Sequence, residues 1–408
     1  MYYVGLAKNE TTWHGRVCLA ESTNGVDWVK PEAGVVSFRG STANNIVMQD
    51  TLPVFAVAVL HEPSDKQTER RFKALLKVKD AAGQMTVLAT YSSDGVHWSP
   101  GRDVGLQVDF CGLMRRHGFY YLTGHTGAKN GARKLQVFMT ADFDSWPAAS
   151  AVGFCRTPPG SYDPERGSAG EQVHQGAALW DRGSVVVGVY GQWHGSETND
   201  RRLVSIDLGL IPSTDGLHFH EPVPHFRLVS AAEDDAEVPP APFRMRVPAL
   251  MQGQGFANVG AQTLFWYAPW PEINSDGVRL ATWDRDRLGY QSAIANLPDP
   301  HLVSTALDSQ PEILTVWANF TCTPYSHLRV ELLSECFKPL PGFSGADACC
   351  IHNGGLEVAV VWSTPLSSLS AALTGQGRVR VKISFCGIRR EDARFYALYV
   401  KRCRVPAG

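Results

Sequence analysis

Two carboxylic acids, Asp109 and Glu171, are the groups in this sequence best placed to do chemistry. Neither stands in a run of charges. Each sits in a mixed polar and apolar stretch, Gln107-Val108-Asp109-Phe110 and Glu171-Gln172-Val173-His174-Gln175. A pair of carboxyl groups flanking a scissile bond, one a proton donor with a raised pKa and the other a nucleophile or a base for water, is the apparatus of glycosidic cleavage and needs no cofactor. Residues suited to holding a sugar accompany them: Asn44, Asn45 and Asp50, His174, Asp207, and Gln254 with Asn258. Trp193 and Trp270 add ring faces for stacking on sugar C–H groups. Other chemistries lack their residues. There is no P-loop, H-E-x-x-H or G-x-S-x-G, and Gly253-Gln254-Gly255 followed by Gly260 does not have dinucleotide-binding spacing. His218 and His220 lie at period two with no convincing third ligand, so no metal site is expected.

The elements that must position these residues are short strands. Runs such as Val54 to Leu60, Val185 to Tyr190, Leu264 to Tyr267 and Val358 to Trp362 are apolar, rich in β-branched and aromatic residues, and bounded by turns. A unit recurs among them. Ser22-Thr23-Asn24-Gly25-Val26-Asp27-Trp28 returns as Ser92-Ser93-Asp94-Gly95-Val96-His97-Trp98 and as Ser213-Thr214-Asp215-Gly216-Leu217-His218-Phe219. A degenerate copy runs from Thr140 to Trp146, and a further strand, Gly277 to Trp283, leads into Arg285-Asp286-Arg287-Leu288-Gly289. Asp/Asn-Gly supplies a positive-φ turn, and the aromatic residue that follows packs under it. Five such units predict an all-β chain with a five-bladed β-propeller over residues 1–296. Cleaner alternation follows in Leu328 to Leu332 and Val379 to Ile383, and predicts a small antiparallel, jelly-roll-like β-sandwich over 297–408, after the Leu297-Pro298-Asp299-Pro300 linker. Trp317 and Trp362 read as sandwich core, and the sandwich as a structural partner rather than a substrate-binding module.

Composition narrows the partners. With 38 Lys+Arg against 40 Asp+Glu the net charge is −2, which argues against nucleic acid and against a polybasic membrane surface. The longest apolar run, Val54 to Leu60, is far short of the ~18 residues that span a bilayer. The chain reads as soluble: cytoplasmic as the sequence stands, secreted if a signal peptide lies upstream. Its nine cysteines, an odd number without framework spacing, read as mostly buried free thiols. The sequons at Asn9 and Asn319 are weak patterns.

The stretch from Ser22 through Asn45 resembles bacterial proteins related to glycoside hydrolase family 32. The residues that carry it include Asn24-Gly25-Val26-Asp27-Trp28, Lys30-Pro31-Glu32, Phe38-Arg39-Gly40-Ser41 and Asn44-Asn45-Ile46-Val47. Ser213 to Phe219 after Asp207, and Leu340-Pro341 leading into Phe395-Tyr396-Ala397-Leu398-Tyr399, extend it. The resemblance implies the propeller and sandwich of the wider group of families 32, 43, 62 and 68. It implies cleavage of a terminal glycosidic bond, a fructosyl or arabinosyl furanoside foremost, with Glu171 as general acid and Asp109 orienting the sugar. Asn45, His174, Asp207, Trp193, Asn258 and Trp270 would bind substrate. It also places Met1-Tyr2-Tyr3-Val4-Gly5 on the second strand of blade one. The first inner strand, which bears the nucleophile or base in those hydrolases, would then be truncated or supplied from elsewhere. A non-catalytic carbohydrate-binding propeller is the alternative. Asp109 has a structural reading too, as an inter-blade carboxylate, and Glu171 as the mere start of a strand.

Overall fold

A computed structural model describes residues 1–7, 10, 14–48, 53–80, 82–125, 132–156, 167, 169–198, 200–234, 249–270, 277–294, 298–308, 313–369, 377–387 and 389–403. Asp50 and Leu297 lie outside them. The fold is all-β, with antiparallel sheets following one another along the chain.

The first sheet pairs β1 (Tyr2–Gly5) with β2 (Arg16–Leu19). The second holds β3 (Val54–His61), β4 (Phe72–Lys79), β5 (Met85–Ser92) and β6 (Arg102–Asp103). The third holds β7 (Asp109–Arg116), β8 (Phe119–His125), β9 (Leu135–Thr140) and β10 (Ala151–Phe154). The fourth holds β11 (Glu171–Asp181), β12 (Val186–His194), β13 (Ser205–Ser213) and β14 (Arg227–Val229). The fifth holds β15 (Leu250–Val259), β16 (Gln262–Pro269) and β17 (Arg279–Asp284). Each is a simple meander, the form of a propeller blade.

The recurring turn is what fastens blade to blade. In the three close copies the Ser hydroxyl accepts the Gly N–H, at 2.8, 2.9 and 2.8 Å for Ser22, Ser92 and Ser213. Asp94 Oδ1 accepts the N–H groups of Val96 and His97, and Asn24 and Asp215 do the same in their copies. The glycines adopt φ of 74, 80 and 78°, where a Cβ would be strained. Trp28 and Trp98 each donate Nε1–H to the carbonyl of their glycine at 3.0 Å. In the degenerate copy Trp146 donates to Phe143 instead.

Each turn then leans on the blade before it. Gly95 meets Tyr2, whose hydroxyl donates to its carbonyl at 2.9 Å, and Gly216 lies against Met114 and Tyr121. Asp144, in the degenerate copy, accepts Arg70 Nη2 at 2.8 Å and the Tyr91 hydroxyl at 2.5 Å. Gly25 lies against Leu264 and Trp266, and Trp266 Nε1–H donates to its carbonyl at 3.0 Å, so the first and fifth blades meet and the ring of five closes.

The chain divides into two compact units: Met1–Ala257 with Leu264–Ala281, and Asn258–Thr263 with Thr282–Gly408. The second unit is a sandwich. One sheet contains β18 (Gln291–Ser292), β21 (Ile313–Cys322), β24 (Gly355–Val360) and β26 (Ala393–Cys403); the other contains β19 (His301–Val303), β20 (Leu307–Asp308), β22 (His327–Ser334), β23 (Cys349–Ile351) and β25 (Arg378–Cys386). It begins before the expected linker, since Gln291 and Ser292 already pair with Phe395 and Arg394. Trp362 joins its core and donates Nε1–H to Val330 O at 3.2 Å. Trp317 does not. Val316 and Ala318 take the inward positions on β21, so Trp317 points to the other face, under the Lys401 ammonium 4.9 Å from its ring centre. Asn319, the second sequon, is fully buried and donates to Arg285 O at 2.7 Å, so it is no glycan acceptor. Cys18, Cys111 and Cys349 are buried thiols, but Cys336 and Cys350 are exposed. Among the described residues no helix is long and apolar enough to cross a membrane.

Candidate functional site

The first strands of blades three, four and five run side by side in the same direction. A Cβ on Gly176 of β11 would lie 2.8 Å from Gly124 N, which pairs with Phe110; one on Gly112 would lie 2.1 Å from Ala177 O. Positions therefore advance together along β7 and β11. Likewise Gln252 of β15 donates to His174 O and Gly176 O at 2.8 and 3.0 Å, and Phe256 stacks on Trp180 further along. Asp109 and Glu171, each the first residue of its strand, thus stand at the same end of the propeller, which we call the mouth. Their side chains keep 36% and 37% of their exposure.

Asp109 is paired across the blade junction. The Lys77 ammonium of β4 contacts its carboxylate. Burial alone pulls Lys77 down to about 8, and the neighbouring carboxylate is what favours its charge. His125 lies opposite Asp109 in the β7–β8 register. Burial, with the charges of Arg133 and Lys77, pushes His125 down to about 3, so it is neutral.

Glu171 heads a row of charges across blade four. Its two carboxylate oxygens lie 3.0 and 2.9 Å from His194 Nδ1, and Arg156 Nη2 lies 2.5 Å from Oε2. His194 Nε2 lies 3.1 Å from Asp207 Oδ2. Asp207 is buried, takes the Ala231 N–H at 2.7 Å on Oδ1 and pairs with Arg227 Nε at 2.9 Å. The row follows from register: Glu171 faces His194, and Asp207 faces Gln192, two residues back on the same face. Burial would raise the Glu171 pKa, but His194, Arg156 and His225 outweigh it and hold the carboxyl below its ordinary range. A resting proton donor should lie above that range, so the raised pKa expected of a general acid is not found at Glu171. Burial opposes charge on His194, yet its bonds to Asp207 and Glu171 carry it above its ordinary value. Asp207, despite burial, is held low by His194, the Ala231 N–H and Arg227.

The expected sugar-binding residues divide. Asp207 joins Glu171 through His194. His174 and Trp270 stack with ring centres 4.6 Å apart. Trp193 is fully buried with Val204, Ile206 and Ala249, and Arg133 lies 4.4 Å above its ring, so no sugar face reaches it. Asn45 ties the first sheet together, donating to the Tyr3 hydroxyl at 2.8 Å and Leu19 O at 2.7 Å. Asn258 stands at the opposite end of β15 from the mouth, bonded to Asp286 at 2.9 Å and to the Thr263 hydroxyl at 2.7 Å. His218 is taken by Asp215 at 2.8 Å.

Lys77, Arg156 and His194 escaped sequence reasoning. His194 alone carried a signal, alternating with Gln192 on the strand that faces Glu171. In the first sheet, counting back from the Asn24-Gly25 turn makes β2 the third strand of its blade and β1 the second. No inner strand of that blade lies among the described residues.

No family model matches the chain, and no curated protein matches it. Similar solved structures include a thermostable family-43 glycoside hydrolase, at 12% identity and a TM-score of 0.40, over 65% of this chain and 81% of that one. Another is an N-acetylgalactosamine deacetylase from F. plautii in complex with blood group B trisaccharide, at 14% and 0.46, over 70% and 85%. A third is a Bombyx mori GH32 beta-fructofuranosidase, at 11% and 0.40, over 100% and 89%. At identities and TM-scores this low, the functional reading rests on the geometry of the mouth.

Proposed function

We propose that this protein cleaves a terminal glycosidic bond by carboxylate chemistry at the mouth, with Glu171 delivering the proton to the leaving oxygen and Asp109 orienting the sugar. The observation that carries this reading is the placement of two half-exposed carboxylates at the same end of adjacent parallel strands, each beside a cationic partner. His174 of β11 stacks on Trp270, which follows the end of β16 in blade five. Fructosyl and arabinosyl furanosides are the first substrates to test.

A second reading has its own support. Asp207 is buried behind His194 rather than open to the mouth, so it offers the sugar no third carboxylate. That feature suits a propeller that binds carbohydrate without cutting it. Rates on a panel of glycofuranosides and fructans separate the two. The glycosidase reading expects Glu171→Gln to lose about 10²–10⁴ of the wild-type rate. Equal rates in the two proteins would remove the acid assignment, and absence of turnover alongside measurable sugar binding would establish the binding module.

A further inference from the structure

We propose that Asp207, His194 and Glu171 form a proton-holding relay, in which His194 is the positioning residue that stores the proton Glu171 delivers. The proposal rests on the glycosidase reading for its use, but its geometry stands without it. His194 Nδ1 faces both Glu171 oxygens at 3.0 and 2.9 Å, while Nε2 faces Asp207 Oδ2 at 3.1 Å. Ionised carboxylates only accept hydrogen bonds, and a neutral imidazole donates from one nitrogen alone. With both carboxylates ionised and the ring neutral, one of these contacts would set a lone pair against a carboxylate oxygen. The array therefore holds one proton more than that state, as an imidazolium between two carboxylates or as a neutral ring beside a protonated one.

The two ends of the array are unequal. Asp207 is fixed as an anion by the Ala231 N–H on Oδ1 and by Arg227, and is buried. Glu171 reaches the mouth with 37% of its side chain exposed. The proton can thus move only toward Glu171. In the step, the Nδ1–H bond of His194 breaks and a Glu171 O–H bond forms, leaving a neutral ring still donating Nε2–H to Asp207. Glu171 then gives that proton to the glycosidic oxygen as the C–O bond breaks and its electron pair stays on oxygen; a water forms the new C–O bond at the anomeric carbon, and the proton it sheds restores the array. This reconciles an ionised resting Glu171 with proton donation.

The other charged groups at the array are Arg156 and His225 beside Glu171, Arg227 on Asp207, and Glu221, whose carboxylate lies 3.9 Å from Arg156 Nε. Arg156 opposes charge on His194, while the two carboxylates favour it. The sign follows: the imidazolium persists as pH rises past the ordinary 6.5 and is lost only at the higher, folded-state value.

The test is an imidazole NMR titration of the full-length protein, with the His194 signal assigned by its disappearance in His194→Gln. We expect His194 to remain doubly protonated above pH 6.5, and Asp207→Asn and Glu171→Gln each to lower its midpoint by about one unit. Asp207→Asn keeps an oxygen for the Ala231 N–H, so a folded spectrum is expected; Glu171→Gln lies at the rim and serves if it is not. A His194 that is neutral at pH 6, or a midpoint unmoved by either substitution, overturns the relay. Where turnover is measured, the alkaline limb of kcat/KM should follow the His194 midpoint and move down with it in Asp207→Asn. Loss of the glycosidase reading alone would leave the titration result standing.

Discussion

In the sandwich unit, strand alternation sends Val330, Leu332, Val381, Ile383 and Phe320 into one continuous apolar core, which Phe343 joins from a turn, and the charges stay on the outer faces, with Glu331 the buried exception. In the propeller unit the apolar residues fall into separate layers between consecutive sheets. Charges are drawn into those junctions. Lys73, 2% exposed, sits between Glu62 at 2.9 Å and Asp65 at 2.5 Å, and Glu171, His194 and Asp207 line blade four beside Arg156. A sandwich closes its core from two sides and needs no ionic junctions. Radial sheets diverge, and the gaps at their ends are filled by long polar side chains that couple one blade to the next. Reactive groups therefore collect in the propeller.

The largest effect expected is in the sandwich core. Trp362→Ala should cost about 3–5 kcal/mol in urea unfolding, and Trp317→Ala about 1 kcal/mol, because Trp317 lies outside the core cluster. Similar losses for both would place Trp317 back in the core. Next comes ionic burial. Lys73→Met strands the Glu62 carboxylate and should cost about 3 kcal/mol, at the lower end for a broken buried pair because Arg115 and Tyr120 remain on it. Arg378→Met, on the sandwich's outer face and paired with Asp308 and Glu335, should cost less than about 1 kcal/mol. Equal costs would erase the contrast between the units.

The blade-fastening turns give a smaller effect. Gly105→Ala, with φ of 76° and open space around the new Cβ, should cost about 1 kcal/mol. Gly95→Ala should exceed it in thermal unfolding, since its Cβ would lie 2.3 Å from the Tyr2 hydroxyl. The smallest effect is that of the relay on stability. The raised His194 pKa contributes stability fully below 6.5 and loses it as pH rises through the folded value. The lowered pKa values of Glu171 and Asp207 contribute above their ordinary values and lose their effect in acid. His194→Gln should therefore cost most, about 1 kcal/mol, between those limits, and less on either side.

What the sequence reveals follows the range of each interaction. The Asp/Asn-Gly turns were legible because their bonds close within seven residues, from Ser22 to Trp28 and from Ser92 to Trp98. The carboxylates Asp109 and Glu171 were legible as residue types in mixed polar and apolar stretches, and Glu171 as the start of a strand. Their partners were not: Lys77 comes from the preceding blade, Arg156 from the outer edge of blade three, and His194 through register. Asn258 reads in sequence as a sugar-holding residue, but β15 begins at Leu250 and carries Asn258 to the end away from the mouth. Trp193 reads in sequence as a ring face for a sugar, but its alternation with Gln192 and His194 sends it to the opposite face, into the layer with Ile206.

The central claim is that Glu171 supplies a proton to the leaving oxygen. A dinitrophenolate leaves without protonation, whereas a sugar alkoxide does not, so the most direct measurement is the Glu171→Gln defect on a fructo- or arabino-oligosaccharide against the defect on the matching dinitrophenyl furanoside. The account expects a loss of about 10² or more on the oligosaccharide and a far smaller one on the dinitrophenyl substrate. Equal losses on both, or none on either, would contradict it.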